Sequence, residues 1–190
     1  MLLLGGMATL SCRRPDYFPL KDNRKWPYAA TWYEVVQTDT IKTESRTYVI
    51  AVTGSAVEPG LGTVYEVRVT RDAEPYLLFF FRKTRDAVFV LPASHLDGLE
   101  PMSGWVKFLD LPLREGKFWY GDAERSVSFE VLAREDKETP AGRFRNCHPV
   151  RIHAPHPYTM TVWLAPDAGI VHWVRPFSAF RLEVSERIGR

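Results

Sequence analysis

The stretch VYEVRVT, residues 64–70, alternates apolar and polar side chains with a period of two residues. The apolar set is Tyr65, Val67 and Val69, and the polar set is Glu66, Arg68 and Thr70. Successive side chains of a β-strand point to opposite faces of a sheet, so this pattern predicts a strand with one buried face and one wet face. Such half-buried strands are typical of antiparallel sheets.

The same alternation recurs at residues 126–131 and at residues 180–185. We expect the apolar sets of these two segments to face the core; they are Val127, Phe129 and Val131 in the first, and Phe180, Leu182 and Val184 in the second. Further strands are predicted at residues 28–37, 46–52, 76–82, 87–91, 143–152, 158–164 and 170–174. Pro- and Gly-containing turns separate them, and helical periodicity is almost absent. The sequence therefore predicts an all-β, antiparallel fold, either a sandwich or barrel-like, built from curved sheets.

Length and charge limit the classes of function. A chain of 190 residues is long enough to bury one core. We expect a single β-rich domain over residues 13–190. The formal net charge of +2 is small and the cations are mixed with acids, so a nucleic-acid partner is not indicated.

One phrase occurs twice, as PLKDNRKW at residues 19–26 and as PLREGKFW at residues 112–119. Asn23 and Gly116 hold corresponding places, and both residue types tolerate left-handed backbone. Later landmarks follow in the same order after each copy. We therefore predict an internal duplication, with residues 17–91 and 110–185 as two similar antiparallel units. A role for Trp26 and Trp119 as sugar-binding platforms is the alternative to packing in the core or at its rim.

The N-terminal segment MLLLGGMATLSC, residues 1–12, is apolar and too short to span a membrane. Its length fits the core of a secretory signal, and Leu10-Ser11-Cys12 resembles a bacterial lipobox. We predict that Cys12 is lipidated, which anchors the protein to a membrane of the bacterial cell envelope on the periplasmic or the surface side. The alternative is an apolar N-terminus with a chance cysteine. If Cys12 is lipidated, only Cys147 remains as a thiol, so a disulfide framework is not expected in that case.

The segment CHPVRIHAPHPY, residues 147–158, is the densest group of metal-ligating residue types. Arg145 and Arg151 share a predicted strand face with Cys147 and His153, and no CxxC or HExxH spacing completes a ligand set. No GxSxG elbow or glycine-rich phosphate loop is present either. We predict no metal, no cofactor and no catalytic residue.

The most apolar predicted strand is YLLFFF, residues 76–81, and it shows no alternation. One interpretation is a central strand covered on both sides. The other is a curved sheet whose concave face forms an apolar cavity. In that case Leu77, Phe79 and Phe81 would line the cavity.

Three further motifs span much of the chain: PLxxxxxWxY with Trp26 and Tyr28, TPAGxFxxC ending at Cys147, and WxAPxxGxV from Trp163 to Val171. In these the chain resembles a loose group of bacterial secreted proteins and lipoproteins to which no activity is assigned. The resemblance implies export and a β-rich fold, and it supplies no catalytic residue.

We therefore expect a lipid-anchored envelope protein that acts by binding, not by catalysis, with an envelope protein or a lipophilic molecule as its partner. One alternative is a carrier or sensor of lipophilic molecules that uses the cavity lined by Leu77, Phe79 and Phe81. A second is a hydrolase whose site lies on the loops at residues 95–100 and 154–158.

Overall fold

The computed structural model describes residues 14–36, 39–95, 104–154, 159–178 and 181–189, and these residues form thirteen β-strands and no helix. The strands are β1 (Lys25–Val36), β2 (Asp39–Glu58), β3 (Gly62–Arg71), β4 (Glu74–Lys83), β5 (Ala87–His95), β6 (Val106–Asp110), β7 (Phe118–Tyr120), β8 (Ser128–Val131), β9 (Glu135–Thr139), β10 (Gly142–His153), β11 (Met160–Ala165), β12 (Gly169–Ser178) and β13 (Arg181–Arg187). The all-β prediction is confirmed.

All strand pairs are antiparallel, and the sheet order is β6-β5-β4-β3-β2-β1-β13-β12-β11-β10-β8-β7, with β9 paired to β10. Neighbours in the sheet are almost always neighbours in sequence. The one long-range pairing within the order is β1 with β13, which joins the two ends of the described chain. One continuous sheet therefore contains both predicted units.

The two edge strands, β6 and β7, approach each other and nearly close the sheet into a barrel. The backbone N–H of Lys107 donates to the carbonyl oxygen of Gly121 at 2.8 Å, and Trp119 Nε1 donates to the carbonyl oxygen of Lys107 at 3.0 Å. A Cβ on Gly121 would stand 2.7 Å from side-chain carbons of both Val106 and Phe129, so this close approach requires glycine. The fold is barrel-like, not a sandwich.

The core lies inside this barrel. The apolar face predicted for residues 64–70 points inward, since Val67 is 1% and Val69 is 8% exposed. The apolar face predicted for residues 126–131 does the same, with Phe129 at 2% and Val131 at 1% exposure. The alternation of both segments is therefore confirmed.

The last strand turns the opposite way from the prediction. Glu183, Ser185 and Arg187 of β13 are buried, whereas Leu182 and Val184 are only partly buried. The expectation that Leu182 and Val184 face the core is wrong, and Phe180 lies outside the described residues. The physical reason is that these buried polar groups find hydrogen-bond partners: Glu183 accepts from Ser185 and from side chains of β12, and Arg187 donates to backbone carbonyl oxygens.

The structure also contains strands that the sequence did not reveal. β6, β7 and β9 lie outside the predicted strands, and β2 is 20 residues long where seven residues were expected. β2 continues past a register shift at Val52 and then pairs with β3 to the end of their hairpin.

The repeated phrase makes the same kind of turn twice. Leu20 and Leu113 are buried, as are Trp26 and Trp119. Arg24 N donates to Lys21 O at 3.1 Å, and Lys117 N donates to Arg114 O at 3.0 Å at the corresponding place. The Leu111–Pro112 peptide bond is cis, a feature that the first copy does not share. The duplication of residues 17–91 and 110–185 stays a prediction.

Candidate ligand cavity

A cavity of about 340 Å³ lies inside the barrel. Its lining is mostly apolar and comes from both halves of the chain; it includes Phe18, Trp26, Tyr48, Val67, Tyr76, Leu77, Phe79, Phe81, Phe108, Met160, Val162, Trp173, Arg175 and Glu183. Inward-facing side chains of a small barrel usually fill its interior. Here they leave a space within the size range of ligand pockets.

Leu77, Phe79 and Phe81, the three predicted lining residues, all lie on this cavity. They alternate along β4, and Phe81 is 8% exposed. The intervening Leu78 and Phe80 point to the outer face and are partly buried. The strand is therefore apolar on its outer side as well, and no second layer of the described residues forms a sheet over it.

An aromatic cluster closes the cavity at the end where β1 begins. Phe18 lies before β1, and its ring centroid is 4.8 Å from that of Phe81 and 5.6 Å from that of Phe108. Trp26 stands 6.2 Å from Phe18. Such tilted and edge-on contacts are favourable arrangements of aromatic rings. The one signal for this role in the sequence is that Phe18 directly precedes the first copy of the repeated phrase, which begins at Pro19.

One wall of the cavity is polar. Glu183 is 1% exposed, and its carboxylate accepts hydrogen bonds from Arg175 Nη2 at 2.8 Å and Trp173 Nε1 at 2.8 Å. Ser185 Oγ donates to the same carboxylate at 2.9 Å. We call these four residues the polar wall. A buried charge needs such partners, because an unpaired one would cost several kcal/mol, on the order of 3 to 5.

Two tyrosines stand beside the polar wall. Tyr48 packs 6.1 Å from Trp173 and 5.9 Å from Tyr76, measured between ring centroids. Burial raises the pKa of Tyr48, and the negative charge of Glu183 raises it further. The Tyr48 hydroxyl therefore stays protonated and can act as a hydrogen-bond donor.

Next to the polar wall, arginine side chains stack on aromatic rings of β1 and β12. Trp32 stacks on Phe177 with a centroid distance of 4.3 Å. The guanidinium of Arg175 lies 4.3 Å from the Phe177 ring, and that of Arg181 lies 4.6 Å from the Trp32 ring. These cation–π contacts hold positive charge near the polar side of the cavity.

Two solved structures are similar to this chain over nearly its whole length. One is a Bacteroides fragilis protein that is described by inference as exported and has a YmcC-like fold. Its sequence is 15% identical to this chain, the match covers 93% of this chain and 99% of that chain, and the TM-score is 0.52. The other is a Parabacteroides distasonis protein that is described by inference as a lipoprotein. Its sequence is 12% identical to this chain, the match covers 92% of this chain and 98% of that chain, and the TM-score is 0.52. This chain shares their fold.

At these identities the likeness shows the fold alone. It fits the resemblance to bacterial secreted proteins and lipoproteins that the sequence motifs indicated. No family model matches the chain, and no curated protein matches it. Among the described residues, no helix is long and apolar enough to cross a membrane.

The structure separates the residues of the segment CHPVRIHAPHPY. Cys147 is fully buried and burial raises the pKa of its thiol to about 11. His148 is buried on the inner face, where its ring is 5.2 Å from that of Tyr17. His153 is exposed beside Glu130, and His156 lies outside the described residues. In the described part of the chain, no group of three His, Cys, Asp or Glu side chains could hold a metal ion.

The remaining predicted sites fall mostly outside the described residues. Cys12 precedes them. Both loops of the hydrolase alternative, at residues 95–100 and 154–158, consist mainly of residues outside the described ranges. Lipidation at Cys12 and a loop-borne hydrolytic site therefore stay predictions.

Proposed function

We propose that this protein is an exported, lipid-anchored envelope protein that binds a lipophilic molecule in the cavity of its barrel. The proposal rests on the apolar cavity of about 340 Å³, whose lining residues include Leu77, Phe79 and Phe81. Burying apolar ligand surface in such a cavity contributes roughly 25 cal/mol per Å². The protein acts by binding, and catalysis is not part of the proposal.

The lining favours a ligand with an apolar body and one hydrogen-bonding end. Rings surround the inner end of the cavity, where Phe18, Phe81 and Phe108 meet. On the polar wall, Arg175 Nε is buried and has no hydrogen-bond partner among the described residues. An acceptor group on the ligand, such as an acid, ester or hydroxyl oxygen, would satisfy this donor.

Export and anchoring are supported by the N-terminal sequence and by the nature of the structural relatives. The segment MLLLGGMATLSC has the apolar core of a signal and places Cys12 in a lipobox-like position. The two proteins that share the fold are classed by inference as an exported protein and a lipoprotein. This combination favours a cell-envelope location with a lipid on Cys12.

Ligand binding is tested by titrating the protein with a fluorescent long-chain fatty acid. Val90 lines the cavity, so the variant Val90→Trp adds bulk there. Val57 is 80% exposed, so Val57→Trp adds the same ring outside. We expect saturable binding that is weakened at least about tenfold by Val90→Trp, since the tail loses buried area. Equal affinity of the two variants would contradict the proposal.

Anchoring is tested by intact mass spectrometry of the protein isolated from membranes of its native host. We expect a mature chain that begins at Cys12 and carries added acyl mass, and we expect a Cys12→Ala version to lack that mass. An unprocessed chain in the soluble fraction of the host would contradict the lipid anchor. Ligand binding in the cavity would still be tested by the fatty-acid titration.

A further inference from the structure

A second pocket, of about 380 Å³, lies outside the barrel cavity, between the turn before β1, the β9–β10 hairpin and the β11–β12 turn. Three arginines line it, namely Arg24, Arg143 and Arg187, together with one carboxylate, that of Asp167. We call it the arginine pocket. Its polar lining distinguishes it from the barrel cavity.

Arg187 is the unusual member of this set, because it is a buried charge without an acidic partner. The residue is 2% exposed. Its Nε donates to the carbonyl oxygen of Gly189 at 2.8 Å, and its Nη1 donates to that of Ala168 at 2.8 Å. No carboxylate of the described residues lies within ion-pair distance of it. Burial lowers the pKa of Arg187; Tyr28 acts in the opposite direction, and the nearby positive charge of Arg24 adds to the lowering.

Arg24 also lacks an acidic partner, although it is only partly buried. Its Nη2 donates to the backbone carbonyl oxygen of Asp167 at 3.4 Å, and no carboxylate among the described residues pairs with it. Arg143 differs, because Asp136 accepts bonds from its Nε at 3.2 Å and its Nη2 at 2.8 Å. The arginine pocket thus has two guanidinium groups whose hydrogen bonds go only to backbone carbonyl oxygens, and that of Arg24 also lies 5.7 Å from the Trp26 ring. The single carboxylate of the pocket is that of Asp167.

We propose that the arginine pocket binds a phosphate group. Two neighbouring guanidinium groups repel each other, and a doubly charged oxyanion between them would remove that repulsion. Arginine presents planar, forked donors that match phosphate oxygens, so it is the residue type best suited to this recognition. The arginine pocket is separate from the barrel cavity, so the proposal of a phosphate site does not depend on whether a lipophilic molecule binds in that cavity.

The phosphate has two sources that share this chemistry, a soluble phosphate compound or a phospholipid headgroup. The pocket adjoins the N-terminal segment, because Asp167 N donates to Asp16 O at 2.7 Å and Asp16 N donates to Asp167 Oδ1 at 3.0 Å. Cys12 precedes Asp16 by four residues, which an extended chain spans in roughly 14 Å. A lipid on Cys12 would therefore bring this pocket close to a bilayer.

Calorimetric titration of the full chain with inorganic phosphate tests the soluble source. Arg24→Gln removes one unpaired guanidinium. Lys21→Gln removes an exposed charge from the same turn outside the pocket, and is the matched control. We expect saturable binding by the wild type and by Lys21→Gln, and binding weakened at least about tenfold by Arg24→Gln, since that variant loses charge-assisted hydrogen bonds to the phosphate.

Co-sedimentation with vesicles tests the lipid source. The vesicles contain phosphatidylcholine alone or phosphatidylcholine with phosphatidic acid, whose phosphate is terminal and exposed. A preference for phosphatidic acid that Arg24→Gln reduces and Lys21→Gln keeps supports the phosphate site with a lipid source, even if free phosphate does not bind. The proposal is wrong if neither inorganic phosphate nor phosphatidic acid binds, or if Arg24→Gln binds both probes as strongly as the wild type does.

Discussion

Asn23 and Gly116 have the same backbone conformation and make the same hydrogen bond in the two copies of the repeated turn. Their φ angles are 63° and 76°. Asn23 N donates to Val52 O at 3.1 Å, and Gly116 N donates to Val131 O at 2.8 Å. Each turn thereby joins the start of one strand to the strand beside it. This equivalence supports the predicted duplication, which a superposition of the two halves with Trp26 on Trp119 would test.

The left-handed backbone of the second turn predicts a cost for adding a side chain there. Gly116→Ala places a Cβ in open space, so any effect comes from the backbone alone. We expect a loss of about 1 to 2 kcal/mol in the free energy of unfolding. Gly54→Ala is the control, since Gly54 lies in open space without a positive φ. Urea unfolding of both variants checks this, and equal stabilities would contradict it.

The hydrogen bonds of the polar wall predict that removing Glu183 lowers the free energy of unfolding much more than removing Glu130 does. Glu183→Ala leaves Arg175, Trp173 Nε1 and Ser185 without their acceptor, and we expect a loss of about 3 to 5 kcal/mol in unfolding free energy. Glu130→Ala removes a partly exposed ion pair with Arg151, and we expect a loss below about 1 kcal/mol. Denaturant unfolding measures both. The prediction fails if the two variants lose similar stability.

Burial of Cys147 predicts an unreactive thiol. The raised pKa of about 11 leaves little thiolate near neutral pH, and the side chain is fully buried. We expect iodoacetamide to alkylate Cys147 only after denaturation, as read by mass spectrometry of the tryptic peptide at residues 146–151. Rapid alkylation of that peptide in the native protein would show that the thiol is accessible.

Burial of His172 predicts a pH-dependent stability. Burial, and then Lys137, lower the pKa of His172 to about 4, with Glu186 Oε1 3.7 Å from its Nδ1. The unfolded chain therefore binds a proton near pH 6.5 that the native state does not accept until about pH 4. We expect this residue to lower stability as pH falls through that window, by about 3 kcal/mol at most.

The pH effect of His172 is isolated by comparing urea unfolding of the wild type and of His172→Gln near neutral and near the acid end of that window. The stability difference between them should change with pH. His153→Gln is the control, because His153 is exposed. A difference for His172→Gln that stays constant across the window would refute the prediction.

The sequence predicted the fold class, and it failed where tertiary partners override a local pattern. Alternation identified β3 and β8 correctly because their polar faces meet water. It assigned β13 to the wrong face, because nothing local shows that Glu183 meets Arg175 and Trp173 of β12. The unbroken apolar run of β4 left two interpretations open, a strand covered on both sides and a strand that lines a cavity. β6 and β9 are short and lack alternation, so no periodicity marked them.

Binding of a lipophilic molecule inside the barrel is tested by NMR with a ¹³C-labelled long-chain fatty acid. We predict intermolecular NOEs from protons on the labelled chain carbons to ring protons of Phe79 and Phe81, and from protons on the carbon next to the carboxyl group to ring protons of Tyr76. Phe118 and Tyr120 are exposed aromatic residues outside the cavity and serve as the comparison. NOEs to that surface pair, with none to the cavity rings, would contradict the account.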